Sequence, residues 1–162
     1  METLKYISKA KLKLVNDAGF ETGKIGKLLG SGAEGKVYEY MEDRIIKVIS
    51  KKNLIFPEPG ELFLPLMKHL KKTPHKLISK VYGYGTFYVE RMKYYYYISE
   101  KLNECKGINK MSGAAKCKEE WMIQQQLRKI SLYFNDNQID KHLMEDNDGN
   151  RKIIDLNGLE LI

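Results

Sequence analysis

The sequence predicts an α+β fold, with a five-stranded antiparallel sheet crossed by one helix and followed by a smaller helical part. Three observations carry this. From Ile25 to Ile49, β-branched and aromatic runs alternate with glycine-rich and polar turns. Leu62, Phe63, Leu66, Met67 and Leu70 then recur at helical spacing. Two further β-rich runs follow, Phe87 to Met92 and Tyr94 to Ser99.

Size and composition bound the possibilities. The chain has 162 residues, enough for one domain or one with a small appendage. Hydrophobic residues make up 43% and charged residues 30%, an ordinary globular balance. No apolar run approaches the roughly 18 residues that span a bilayer. The segment from Met1 to Lys13 is charged and lacks the apolar centre of a signal peptide. Cys105 and Cys117 each stand beside lysine in polar surroundings, so a reduced, cytoplasmic setting is expected. The net charge of +7 favours acidic partners, ATP and nucleic acid included, although a solvated lysine-rich surface has the same composition.

In chain order, Met1 to Asn16 reads as a short helix or strand of alternating lysine and leucine on the domain edge. Ile25 to Leu29 is a strand entering Gly30-Ser31-Gly32-Ala33-Glu34-Gly35-Lys36-Val37. Glycines at G-x-G-x-x-G spacing let a backbone turn tightly and approach phosphate oxygens without Cβ collisions. In dinucleotide-binding folds the last glycine opens a helix. Here the next run, Lys36 to Tyr40, is strand-forming, and Met41-Glu42-Asp43-Arg44 turns it into Ile45-Ile46-Lys47-Val48-Ile49. After Ser50-Lys51-Lys52-Asn53, the breaker Pro57-Glu58-Pro59-Gly60 precedes a helix that begins near Gly60 and stops at Thr73-Pro74-His75, with Pro65 in its early turns. Ile78 to Tyr82, a turn at Gly83-Tyr84-Gly85 and the two late β runs complete the sheet as a hairpin. The four tyrosines from Tyr94 to Tyr97 are expected to alternate between core and surface; a base-stacking platform would use the same rings. Asn103 to Lys118 reads as loop or short helix, and Glu119 to Asn135 as the strongest helix, bearing Trp121, Ile123, Leu127, Ile130, Leu132, Tyr133 and Phe134. Asp148-Gly149 between Leu143-Met144-Glu145 and Lys152-Ile153-Ile154-Asp155 signals a hairpin.

The glycine loop followed by a lysine within a strand resembles the eukaryotic-type protein kinase signature, G-x-G-x-x-G-x-V and then V-A-I-K. The resemblance extends from about Ile25 to Gly158 and is to a minimal or truncated kinase of the viral or bacterial-effector type. It implies a kinase-like N-lobe over residues 1–102, its sheet crossed by one αC-like helix, and a reduced helical C-lobe remnant over 103–162. By this match Gly30, Ser31, Gly32, Gly35 and Val37 cover the phosphates of ATP, and Lys47 holds them. Glu61 on the helix would pair with Lys47, with Glu58 as the fallback; an exposed edge strand is the alternative position for Lys47. Tyr97 to Leu102 is similar to the strand and hinge that grip adenine: Ser99 fills the gatekeeper slot, and the Glu100 carbonyl and Leu102 amide bond the base. Asp155-Leu156-Asn157-Gly158 is similar to an altered D-F-G segment, so Asp155 would bind Mg²⁺.

The resemblance breaks at the catalytic loop. The pattern H-R-D-L-x-x-x-N asks for an asparagine five residues after the aspartate. Asp136 is followed at that distance by Lys141, and Asp140 by Glu145. Aligned backwards from Asp155, His142 takes the metal-binding asparagine slot and Asn137 the aspartate slot. Asp140-Lys141-His142 is also similar to the D-R-H of lipid-kinase and atypical-kinase branches, which would make Asp140 catalytic. With Ile162 four residues past Gly158, the activation segment and substrate-binding helices are expected to be absent. The expected function is a minimal phosphotransferase, using ATP and Mg²⁺ to modify a protein hydroxyl, with a partner protein completing it. The alternative is a pseudokinase that binds or inhibits another protein. A nucleic-acid binder would rest on charge and tyrosines alone, and the kinase signature does not call for nucleic acid as a partner.

Overall fold

Alternating β-branched and aromatic residues pair into one antiparallel sheet in the computed structural model, which describes residues 13–14, 25–32, 35–50, 59–89, 91–105, 107–135 and 138–162. Expectations for most of Met1 to Asn16, for Ala33, Glu34, Lys51 to Glu58, Asp136 and Asn137 fall outside the described residues. The chain divides into two compact units, Met1–Thr73 with Lys80–Lys101, and Pro74–Ser79 with Leu102–Ile162.

The first unit holds β1 (Lys13–Leu14), β2 (Ile25–Ser31), β3 (Lys36–Tyr40), β4 (Arg44–Ser50), α1 (Pro59–Lys72), β5 (Val81–Val89) and β6 (Met92–Glu100). Five strands run antiparallel in the order β5-β6-β4-β3-β2, and the two-residue β1 adds a sixth on the outer edge of β5. Directly opposed residues share a face, so Val37, Lys47, Tyr97 and Tyr84 form one row across the sheet. α1 covers this face: the Phe63 ring meets those of Tyr95 and Tyr97 at 5.4 and 6.4 Å. Phe63, Leu66, Met67 and Leu70 are its buried stripe, whereas Leu62 lies off that stripe and is exposed, contrary to expectation. Tyr38, Tyr40, Ile46, Val48, Phe87, Tyr96 and Ile98 form the core of the opposite face.

Two readings are corrected here. Gly83-Tyr84-Gly85 lies inside β5, where Gly83, Tyr84 and Gly85 pair with Ile98, Tyr97 and Tyr96 of β6. A register shift between Val81 and Gly83 absorbs the irregularity. The tyrosines do not alternate between core and surface. Tyr95, Tyr96 and Tyr97 are all buried, since both faces of β6 are covered, and they offer no stacking platform.

The second unit holds β7 (Asn103–Glu104), α2 (Gly113–Arg128), β8 (Leu132–Phe134), β9 (Leu143–Glu145), β10 (Arg151–Ile153) and β11 (Leu159–Leu161), with 3-10 turns at Ile108–Lys110, Ile139–His142 and Leu156–Gly158. It is therefore richer in strand than the helical remnant expected. The long helix starts earlier and ends sooner than Glu119 to Asn135. Ser112 caps it, its Oγ accepting from the Ala115 N–H at 3.2 Å. Past Arg128 the chain turns through Ser131, whose φ of 60° is incompatible with continuing the helix. Leu132 to Phe134 then pair with Leu159 to Leu161. The Gln124 side chain bonds both ways to Phe134, donating to its carbonyl at 2.7 Å and accepting from its N–H at 3.2 Å.

The expected hairpin is present as β9 and β10. In its turn Asp146 Oδ1 accepts the N–H groups of Asp148 and Asn150, each at 2.9 Å, and Gly149 takes φ 81°. Arg151 reaches Glu119 of α2 at 2.6 Å, and that bond raises the guanidinium's proton affinity. Cys105 is buried with its Sγ 2.9 Å from Glu145 Oε1; burial, then this contact, pushes its thiol up.

Candidate functional site

The glycine turn joins β2 to β3. Gly30 pairs with Val37 and Ser31 with Lys36, and the Gly32 N–H donates to the Gly35 carbonyl at 2.9 Å. The three glycines answer different constraints. A Cβ on Gly35 would collide with the Val48 carbonyl oxygen, so this glycine lets β3 lie close on β4. A Cβ on Gly30 or Gly32 would meet nothing within 4 Å, and neither residue has a positive φ. Both are exposed, as is Ser31. Among the described residues, neither packing nor backbone conformation requires glycine at positions 30 and 32.

Lys47 stands on β4, the middle strand of the five, between Val37 of β3 and Tyr97 of β6. The alternative of an edge-strand lysine is excluded. Its side chain shares the α1-covered face and is half-buried. Glu61 lies in the first turn of α1, and its carboxylate is outside the described atoms. Ser99 belongs to the same face, in the row beside Lys47 with Ile45 and Val81. It is only 1% exposed, and its Oγ has no hydrogen-bond partner among the described residues.

At the end of β6, Glu100 closes a reciprocal pair with Lys80: its N–H donates to the Lys80 carbonyl at 3.1 Å, and its carboxylate accepts the Lys80 N–H at 2.7 Å. The Lys101 N–H donates to the Asp43 carbonyl at 2.9 Å. Lys101 Nζ also bonds Glu39 at 3.0 Å, which holds that carboxyl below its ordinary range. Leu102 follows as the first residue of the second unit's long segment.

In the second unit, two residues singled out from sequence as metal ligands face each other. His142 Nδ1 is 3.4 Å from Asp155 Oδ2. The backbone holds them in register, since the Ile154 N–H donates to the His142 carbonyl at 3.0 Å. The imidazole also lies against the Phe134 ring, with centroids 5.4 Å apart. Gly158, the glycine of the Asp155-Leu156-Asn157-Gly158 segment, is where a Cβ would crowd that same Phe134 ring at 2.9 Å. Asp140 makes a separate ion pair, 3.5 Å from Lys116 of α2. Lys116 stands 24 positions before Asp140, and no sequence spacing announces the pair. Among the described residues no three of His, Cys, Asp and Glu gather as a metal-binding group, so Asp140 does not complete one with His142 and Asp155.

The donor set tests the expected cation. The Asp155 carboxylate suits Mg²⁺, a hard ion that takes oxygen ligands and keeps several waters. The His142 nitrogen suits first-row transition ions better. No family model matches the chain, and no curated protein matches it. No helix among the described residues is long and apolar enough to cross a membrane.

Proposed function

We propose that the chain binds ATP in the manner of a protein kinase and is a minimal phosphotransferase acting on a protein hydroxyl, with a partner protein completing the substrate side. The observation that carries this reading is the arrangement of β2, β3 and β4: an open glycine turn leads into Val37, and Val37 pairs directly with Lys47 on the central strand. The unexplained glycines at 30 and 32 support it, because a backbone stripped of Cβ atoms is what close approach to phosphate requires.

Each residue then has a task. Gly30, Ser31, Gly32 and Gly35 present backbone to phosphate oxygens, and Val37 gives the base an apolar cover. The Lys47 ammonium, helped by Glu61, neutralises phosphate charge. The Glu100 carbonyl and Leu102 amide bond the adenine edge. Asp155 and His142 would hold a divalent ion, which supplies the charge neutralisation that phosphoryl transfer uses. Asp140 would orient the acceptor hydroxyl and take its proton, a role commonly worth about 10²–10⁴ in rate.

The pseudokinase reading has its own support, since Asp140 is engaged by Lys116 and histidine stands in the asparagine slot. Isothermal titration with ATP separates nucleotide binding from none. Lys47→Met is expected to weaken ATP by about tenfold or more, the loss of one charge-assisted contact, with an unchanged melting temperature. No heat and no thermal shift at millimolar ATP would remove the nucleotide reading. Radiolabelled phosphate transfer, with Asp140→Ala as control, then divides enzyme from pseudokinase.

A further inference from the structure

We propose that one face of α2 is the contact surface of a homodimer, in which two copies pack this helix antiparallel about a two-fold axis at Gln124. The inference is independent of the nucleotide reading, since every residue it uses lies in the second unit.

The surface is built around one exposed ring. Trp121, the chain's only tryptophan, is 64% exposed, although tryptophan is highly buried on average. It borders a cleft of about 400 Å³ that Glu120, Gln125 and Arg128 of α2 line together with Tyr133 and Ile139. Arg128 is exposed as well, and its guanidinium carbon stands 5.8 Å from the centre of the Tyr133 ring. Tryptophan, tyrosine and arginine are the residue types that most often anchor protein interfaces. Steps of three and four positions keep Glu120, Trp121, Gln124 and Arg128 on one side of the helix.

Charge placement names the occupant. Glu120 and Arg128 stand at equal distances on either side of Gln124, about 6 Å each way along the helix axis. A two-fold axis at Gln124 therefore brings Arg128 of each copy level with Glu120 of the other and beside Trp121. Opposite charges meet twice, and the guanidinium that already lies near Tyr133 gains an indole face. A parallel pairing would set Glu120 on Glu120 and Arg128 on Arg128. The face is thus complementary to itself, as the interface of a symmetric dimer must be. Its size sets its strength. The 16 residues of α2 extend about 24 Å, and one helix face on another falls at the small end of protein interfaces, below about 1,200 Å². The dimer is expected to be weak and reversible.

The test is sedimentation velocity on the full chain from about 5 to about 500 μM, since dimerisation follows mass action. Fluorescence of Trp121 is recorded over the same range. The expected result is a monomer–dimer equilibrium, with a blue shift of the emission that tracks the dimer fraction as the indole leaves water. Trp121→Ala and Arg128→Glu should each weaken the dimer by about tenfold or more, as loss of a central anchor does. Glu120→Arg should weaken it too, and combining Glu120→Arg with Arg128→Glu should recover most of the loss. A monomer at every concentration leaves the cleft to some other occupant and overturns the proposal. A dimer without the emission shift also overturns it, because that dimer uses a different surface. This second readout needs no variant and decides even if a substitution misfolds. Where circular dichroism shows the combined variant folded, failure of the exchanged charges to restore association overturns the antiparallel register.

Discussion

Gly30, Gly32 and Gly35 look equivalent in a motif and differ in what their missing side chains permit. Gly35 is required by the fold, because its Cβ would enter the Val48 carbonyl. Gly30 and Gly32 face open space, so packing among the described residues does not require them, and the proposed nucleotide contact is what they would serve. The expected outcome is that Gly35→Ala destabilises by about 1–3 kcal/mol, the usual range for overpacking. Gly30→Ala and Gly32→Ala should stay within about 0.5 kcal/mol of wild type, as surface changes do, and still weaken ATP. Thermal unfolding and ATP titration of the three variants check this; equal destabilisation of all three would assign the whole motif to folding. The same scale shows where sequence reading stops. A motif places Lys47 on a strand, but it does not contain the distance between His142 and Asp155 or the partnership of Asp140 with Lys116, because both depend on how separated segments fold together.

Among the elements, the β9–β10 hairpin was legible because its signal is local: Asp-Gly supplies the positive φ, and short apolar runs flank it. The end of α2 was not. Ile130, Leu132, Tyr133 and Phe134 continue an apolar pattern that a helix could use, and only pairing with Leu159 to Leu161 makes three of them a strand. Gly83 and Gly85 misled in the opposite sense, since glycine marks turns locally but a full-length partner strand overrode it. The hairpin also carries a pH dependence. Asn150, through its side chain and then its N–H, holds the Asp146 carboxyl below its ordinary range. A lowered folded value means that this stabilisation is complete above the unfolded carboxyl's titration and is lost as pH falls through the folded one. Acid unfolding should therefore cost wild type more stability in that window than Asp146→Asn. Superimposable stability curves for the two proteins would refute the assignment.

For the molecule as a whole, the sheet of the first unit is graded from centre to edge. β4 and β6 are paired on both sides and covered on both faces, while β2 pairs only with β3 and carries exposed Leu28 and Leu29. Hydrogen exchange should be slowest on β4 and β6 and fastest on β2, since protected amides track buried, doubly paired strands. Uniform protection across the sheet would contradict this. Such a gradient suits the proposed division of labour, with a doubly paired strand under Lys47 and exposed glycines at the end of an edge strand. The α+β class could be read from hydrophobic period alone; beyond the β9–β10 hairpin, the second unit's strands β7, β8 and β11 could not, because they are only two or three residues long and too short to show a period.

The two bonds from Gln124 to Phe134 have a consequence for association. A two-stranded ribbon such as β8–β11 leaves a row of amides and carbonyls that another chain can zip onto. Gln124 fills that position on β8 with an amide of its own, donating and accepting as a neighbouring strand would. One glutamine side chain thus impersonates the missing strand, and the ribbon's inner border is closed to strangers at Phe134 without the chain spending a third strand to do it.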